Sequence, residues 1–448
     1  MSSNDFNSKY GLSSVLIEES LVFQDASKQK NFNNIAGQPK KIGIEILKRF
    51  FSNWVYITSA IVFLLVLIIS IVVKSTAVFS PTKAVYNDVF FKGVSITFDA
   101  NNKVLEVVEN PELGLIQGPN AVSGLPSVFH SWSTEQYTPT EFNSLKQTWM
   151  NNWGGYLFKE FVEGNYKINP KSGTVSYNTY ALYKAHALAV ILTKSGVDTN
   201  ISASEMPKIV DKIIQLNSNL DLKTYFGTTR AGVDIWTSSW IGTWNAIRLA
   251  LIVATLQTII GVAIGSYLGF HVGTLIDTII MRLIDIFVSP PSLIWLLIFA
   301  SLFGTSDLAL GISLVFIGWT GSVGGARMFI ITVKDEEYIT ASRSLGSSKL
   351  RLIYSHALPA IAGKIATGYV SRIPSIILSV SSLAFLGFFK SNSANLGAIL
   401  NDAAGEDLSN NLWAVMLPAL ILLSISISLH FVALGVHDAL DPKVMKAK

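Results

Sequence analysis

The chain has 448 residues, half of them hydrophobic and 14% charged, against about 25% charge in an ordinary soluble domain; its mean hydropathy is +0.43. This disfavours a purely soluble fold, and 14 prolines with 32 glycines are too few, beside so much apolar content, for a disordered one. With no cysteine there is no disulfide, thiolate metal site or Cys nucleophile, and a net charge of +4 suits basic loops at the inner face of a membrane better than a nucleic-acid surface.

The first fifty residues are polar with scattered apolar positions and read as a loosely ordered cytoplasmic lead-in, with Ile42 to Phe51 as an amphipathic interfacial helix. Crossing roughly 30 Å of hydrocarbon takes about 20 apolar residues. Six runs qualify: Trp54 to Val73, Leu249 to Phe270, Met281 to Phe303, Leu308 to Ile331, Ile365 to Phe389 and Leu412 to Leu434. The first is too long for a signal-peptide core and lacks a small-residue cleavage site, so it reads as a retained anchor. Lys40, Lys41, Lys48 and Arg49 precede it, which puts the N-terminus inside and, after six crossings, the C-terminus on the same side. Lys334, Arg343, Lys349, Arg351 and Lys364 between the fourth and fifth runs, and Lys443, Lys446 and Lys448 in the tail, agree with that orientation. Between the fifth and sixth runs Lys390 stands against Asp402, Glu406 and Asp407, as suits an outer loop.

Residues 75–225 differ: they are polar, rich in Asn, Ser and Thr, and long enough for an independent domain. Val94 to Phe98 and Val104 to Val108 alternate as strands do. From Thr140 to Leu222 the pattern is more helical, as in Tyr180 to Leu192 and Ala203 to Leu216. The segment is expected outside, between crossings one and two. Trp132, Trp149 and Trp153 within it read either as contacts for a receptor or peptide or as core of a small domain without disulfides.

The most informative stretch runs from Glu337 to Pro359. Tyr338, Ala341, Ser342 and Leu345 share one helical face; Leu350, Ile353 and Ala357 do the same after Gly346, which permits a bend, and Pro359 is expected to end the second helix. Two short helices that are small and apolar on one side and basic on the other make either a docking knob for a soluble partner or an ordinary interfacial helix. The stretch resembles the coupling loop of ATP-binding-cassette importer permeases: Ala341 and Ser342, Gly346 four positions on, and Leu358-Pro359 with the proline thirteen positions after the glycine. Ser342 replaces the second Ala of that pattern, Thr340 stands in the place of its Glu, and His356 stands where the peptide branch often has His.

Further matches extend the resemblance over roughly residues 226 to 443 and point to the second permease of the oligopeptide, dipeptide and nickel group. They are Phe226 to Ile235, Met281 to Asp285 with Ser289 to Leu293, Leu383 to Gly387, Leu396 to Ala403, and Asp438 to Pro442. With the segment at 75–225, read from its own pattern as a large α+β extracellular insertion and larger than this family usually carries, the resemblance implies an α-helical integral membrane protein with six transmembrane helices of the type I importer permease fold. It divides the chain into a cytoplasmic segment 1–50, a first helix 51–74, the extracellular domain 75–225, a transmembrane domain 226–443 with its coupling loop at 335–360, and a tail 444–448. It also implies partners: a homologous permease, two cytoplasmic ABC ATPases that bind the ATP and Mg, an extracellular substrate-binding lipoprotein, membrane lipid and a peptide substrate, with dipeptide or nickel as alternative cargo. Thr340, Ala341, Ser342, Gly346, Leu350, Ile353, His356, Leu358 and Pro359 would then form the ATPase-coupling surface.

Arg372, two residues before Pro374, is a candidate for lining an aqueous path or gate, because ionisable groups inside crossings are functional candidates. Pro290 and Pro291 join it, since their missing donors must be compensated by protein or cavity water. Arg248, Arg282 and Arg327 lie near predicted helix ends and read as snorkelling cations, with Asp285 a local partner for Arg282. His430 reads as a packed core residue. Gly261, Gly265 and Gly269 at four-residue spacing suggest close helix packing. No phosphate loop, nucleophile elbow or zinc helix motif is present, so any ATP-driven work needs separate motor subunits. Rival readings are an ion-coupled secondary transporter and a membrane-anchored enzyme.

Overall fold

The computed structural model describes residues 42–101, 103–120, 125–135, 143, 146–147, 149–222, 224–389, 393–404 and 411–440. Lys40, Lys41, Thr140, Lys390, Glu406, Asp407, Asp441, Pro442 and the tail lysines lie outside the described residues. The chain divides into Met1–Asn53 and Trp54–Lys448. In the first unit, α1 (Ile42–Phe50) carries Lys48 and Arg49 in its last turn, where cations suit the negative end of the helix dipole.

The second unit opens with α2 (Trp54–Thr76), uncharged until Lys74 and about 34 Å long, enough to span hydrocarbon. Small antiparallel sheets follow. β1 (Phe90–Lys92) pairs with β4 (Leu115–Gln117), β2 (Val94–Phe98) pairs with β3 (Val104–Glu109), and β7 (Thr174–Asn178) lies between β5 (Trp132–Glu135) and β6 (Tyr166–Asn169). The strands β6 and β7 replace part of the helical pattern expected beyond Thr140: Gly164 and Gly173, both at positive φ, allow the turns that bring two short polar strands together. Helices α3 (Thr179–Lys194) and α4 (Met206–Leu216) close this part over a core of Phe91, Val94, Tyr183, Leu188, Ile191, Ile209 and Ile213.

Residues 224–234 tie these elements to the long helices. Thr228 donates its amide to the Leu125 carbonyl at 2.9 Å and its hydroxyl accepts from the Leu125 amide at 2.8 Å. Gly227 is forced here: its φ is +80°, and a Cβ would stand 2.2 Å from the Leu125 carbonyl oxygen. Tyr180 donates to the Pro126 carbonyl at 2.7 Å. Burial, opposed by its hydroxyl contact with Thr224, pushes the phenol up to about 12, so it remains a donor at any physiological pH.

Helix α5 (Ile235–Phe270) starts at Asp234, whose carboxylate accepts the Thr237 amide at 2.8 Å, the usual way an Asp satisfies an orphan helix donor. The other carboxylate oxygen is buried with no partner. Burial raises the pKa of this group, against the lowering effect of the Thr237 bonds. The folded chain therefore holds the Asp234 proton more firmly than the unfolded chain does. The associated stability is complete below about pH 4 and is lost as the pH rises through the folded-state value. Asp234→Asn keeps a capping acceptor without the charge. Its unfolding midpoint, read by tryptophan fluorescence, should exceed wild type at pH 8 by an amount worth about 1 kcal/mol or more and converge with it at pH 4. A difference independent of pH would refute this role for the buried charge.

At 36 residues α5 is about 54 Å long, more than the hydrocarbon needs. It is followed by α6 (Leu275–Val288), α7 (Ser292–Phe303), α8 (Asp307–Val333), α9 (Glu337–Ser344), the continuous α10 (Lys349–Phe388), α11 (Leu396–Ala404) and α12 (Trp413–Leu440). Among the described residues α2, α5, α8, α10 and α12 are long and apolar enough to cross a membrane. The third crossing expected from sequence is instead the pair α6 and α7, bent by 75°. Pro290-Pro291 breaks it by removing two consecutive backbone donors at the junction.

Helix α5 packs closely and over much of its length against α8. A Cβ on Gly261 would lie 2.3 Å from the Ser322 Cβ, one on Gly265 2.4 Å from the Val323 carbonyl oxygen, and one on Gly269 2.7 Å from that of Arg327. The glycine spacing thus is what lets these two backbones meet. Around them a core of Ile247, Val253, Leu296, Leu314, Ile376, Leu383, Ile421 and Ile425 joins α5, α7, α8, α10 and α12.

Candidate coupling loop and membrane cavity

Between α8 and α10 the chain turns through α9. The turn is closed by Gly346 at φ +86°, with the Ser347 amide donating to the Ser342 carbonyl at 3.2 Å and the Gly346 amide to that of Arg343 at 3.0 Å. This paired arrangement satisfies carbonyls at the helix end and needs a left-handed residue at the glycine position. The bend expected at Gly346 is therefore real and has a defined geometry.

The residue that anchors α9 lies outside the face expected to dock a partner. Ile339, not singled out from sequence, is fully buried and packs with Ile330, Leu352, Ala357 and Ile361. Thr340, Ala341, Leu345 and Leu350 are exposed, Leu345 by 88%, and Ser342 is half-buried. One buried anchor thus holds a short helix whose other apolar side chains point outward. Ile353, expected on the partner-facing surface, is buried within the chain together with Ala357, whereas Leu350 is exposed. Residues Leu352–Ala357 form a π-helical stretch, and its wider turn shifts the phase between Leu350 and the residues after it.

The same stretch explains why Pro359 does not end the helix, contrary to expectation. Pro359 stands in the first turn of the α-helical part, Leu358–Leu383, and the wide turn before it accommodates a residue without an amide proton. His356 and Leu358 are half-buried and Pro359 is exposed. Arg343 stacks over Phe270 at 5.8 Å and Tyr354 donates to the Ala263 carbonyl at 3.0 Å, so the loop is also tied to α5.

Deeper in the bundle a cavity of about 440 Å³ is lined by α5, α7, α8 and α10, through Gln257, Ser292, Leu296, Gly318 and Arg372 among others. Gln257 is buried and donates to the Leu314 carbonyl at 2.7 Å. It fits because Gly318 has no Cβ, which would lie 2.1 Å from the Gln257 amide nitrogen. Thr367, Ser371, Ser375 and Ser379 follow one another at four-residue spacing on α10, each hydroxyl donating to the carbonyl one turn back at 2.8 to 3.2 Å. Back-bonding lowers the cost of carrying hydroxyls in an apolar helix and leaves oxygen lone pairs facing outward. This stripe was readable as an i, i+4 pattern but is hidden by the mean hydropathy of the run.

Of the sequence candidates for a path, Arg372 lines the cavity, whereas Pro290 and Pro291 do not; Pro291 is exposed, and the lining begins with the next residues, Ser292 and Leu293. Pro374 is buried inside α10. Arg327 is no snorkelling cation: it makes a two-point bond to Asp277 at 2.6 and 2.7 Å, the geometry in which guanidinium and carboxylate match best. Arg248 pairs with Asp307 at 2.7 Å and Arg282 with Asp285 at 3.6 Å, the latter as expected. His430 is not core. It is exposed on α12 and lines a groove of about 450 Å³ with Ser371, Ser375 and Ser426.

The three tryptophans within residues 75–225 are not brought together as one surface. Trp153 is 4% exposed and belongs to the core. Trp149 is half-buried against His186 at 5.6 Å, and Trp132 is half-buried under Lys167 at 5.0 Å.

Residues 261–446 match the family of binding-protein-dependent transport system inner membrane components. The chain is 37% identical over 235 residues to the oligopeptide transport system permease protein OppC of Mycoplasma pneumoniae, covering 50% of this chain and 62% of that one. It is 36% identical over the same length to that of Mycoplasma genitalium, with the same coverage. It is 29% identical over 167 residues to the dipeptide transport system permease protein DppC of Bacillus subtilis, covering 37% and 52%. The chain thus spans under two thirds of the length of these relatives. The match takes in the α8 to α10 turn, the cavity-lining part of α10 and α12. Residues 261–446 thus resemble the inner membrane component of a binding-protein-dependent transport system, and the chain resembles the ABC permeases of oligopeptide and dipeptide transport.

Proposed function

We propose that the chain is the permease subunit of an ATP-driven importer that moves oligopeptides across the cell membrane by alternating access. The observation that carries this reading is the combination, in one bundle, of an outward-facing apolar knob on α9 and a hydroxyl-lined face on α10. The two are continuous through the π-helical stretch Leu352–Ala357. A push on the knob is delivered directly to the helix that lines the cavity.

In this reading the fold is that of type I importer permeases, with both termini cytoplasmic and the elements of residues 75–225 forming an α+β extracellular domain. Two cytoplasmic ATPase subunits hold the ATP and Mg and grip Thr340, Ala341, Ser342, Leu345 and Leu350, with Gly346 setting the turn. Ile353, Leu358 and Pro359 transmit the motion and His356 borders it. A homologous permease covers the serine face of α10, and a substrate-binding lipoprotein delivers peptide from outside, with Trp132 and Trp149 the remaining aromatic contacts available to it. Membrane lipid surrounds the rest. ATP-driven closure of the motors favours one arrangement of α10 and hydrolysis the other, so the energy difference between states comes from the partners.

The test is purification of the assembled transporter from its own membrane, followed by reconstitution into vesicles. Two ATPase subunits and a second permease are expected to travel with the chain. Labelled peptide should accumulate only with ATP inside the compartment facing the knob. Uptake that persists without ATP and follows an ion gradient would replace this reading by the secondary-transporter one.

A further inference from the structure

Arg372 is the only charged side chain among the described residues that line the α5/α7/α8/α10 cavity. It lies within the fifth apolar run, seven residues after Ile365 and sixteen before the end of α10 at Phe388. Its guanidinium has five N–H donors, and among the described residues it makes one bond, from Nη1 to the Gly318 carbonyl at 3.3 Å. No carboxylate oxygen of the described residues lies within 4.0 Å of it. Arg248, Arg282 and Arg327 each have an aspartate. The polar neighbours are neutral: Gln257 donates to Leu314, and Ser371, Ser375 and Ser379 donate to their own helix, so they offer acceptor oxygens but no balancing charge.

A half-buried cation without a counter-charge is costly in a membrane bundle, and a carboxylate is the anion whose planar geometry matches a guanidinium. We propose that Arg372 is a carboxylate-binding residue of the cavity, its ligand being the C-terminal carboxylate of the passing peptide or an acidic side chain of the partner permease. The first source suits a carrier of varied sequences, because every free peptide ends in the same group. This inference rests on the peptide-importer reading but is tested separately from it.

The experiment compares one labelled peptide as free acid and as C-terminal amide on the complete transporter, as wild type, Arg372→Gln and Arg372→Lys. It reads ATP-driven uptake in vesicles, and peptide affinity of the detergent-solubilised complex, which needs no transport. For the peptide source, wild type should prefer the acid on the order of tenfold, Arg372→Gln should abolish that preference while handling the amide like wild type, and Arg372→Lys should retain part of it. For the partner source, the acid-to-amide ratio should stay unchanged while Arg372→Gln, but not Arg372→Lys, loses co-purification of the second permease. If neither the ratio nor the co-purification changes in Arg372→Gln, the carboxylate site is overturned. Absence of any wild-type uptake would count against the importer reading, with the binding ratio still deciding this one.

Discussion

Leu345→Glu is expected to reduce ATP-driven uptake by roughly tenfold or more while leaving the chain folded in the membrane. Leu345 is 88% exposed at the tip of the α8 to α10 turn, so the substitution removes no internal packing and introduces no buried charge. An exposed leucine at the centre of a docking knob is worth far more in the complex than in the chain alone, since a few apolar anchors carry most of an interface's energy. Ala341→Trp, on the same exposed face, should act alike by holding the motor subunit away. Co-purification of the ATPases and peptide-stimulated ATP hydrolysis provide the readouts. Ile339→Glu should behave differently: Ile339 is fully buried against Ile330 and Leu352, so the chain itself should be lost from the membrane. Uptake by Leu345→Glu and Ala341→Trp at the wild-type rate would remove the mechanical handle from the account.

Gly265→Val should abolish stable expression, with a loss on the order of 3 kcal/mol or more. A Cβ at this position would lie 2.4 Å from the Val323 carbonyl oxygen and 3.0 Å from the Ala326 Cβ. The first of these is backbone, so no rotamer change can relieve the clash and α5 must separate from α8. Valine at Gly324 of α8, where a Cβ meets no atom within 4 Å, should be tolerated within about 1 kcal/mol. Thermal unfolding of the two variants in detergent, followed by tryptophan fluorescence, measures the difference. Equal midpoints would mean that the glycine seam does not hold the bundle.

Much of the architecture was legible because it depends on local composition. Runs such as Trp54 to Val73 and Leu412 to Leu434 are apolar all round, which only lipid or a large core accommodates. The bend at Gly346 was legible because a left-handed helix end needs glycine, and the close approach of α5 to a neighbour because three glycines recur on one face. The Arg282 and Asp285 pair was equally local, set by a three-residue spacing on one helix.

Features that depend on partners distant in sequence were read differently. Arg327 meets Asp277 across fifty residues, so nothing near it in sequence distinguished a paired guanidinium from a snorkelling one. His430 sits in an apolar run yet faces outward, because the side of α12 that packs on α2 and α10 is set by the bundle. Pro359 would end an isolated helix; its place after a π-helical turn in a continuous α10 reflects packing of Leu352, Ile353 and Ala357 against the rest of the fold.

The amino-acid order by itself determined that this chain carries helices apolar enough to span a membrane, where most of those runs lie and where the chain turns at Gly346, since hydropathy and glycine or proline chemistry act over a few residues. Only the tertiary structure decided that α6 and α7 meet at 75°, that Ile339 rather than its neighbours anchors α9, and that Arg372 is left in a cavity of neutral groups. Those outcomes follow from long-range packing, in which burial and charge compensation are settled by whichever residues the bundle brings together.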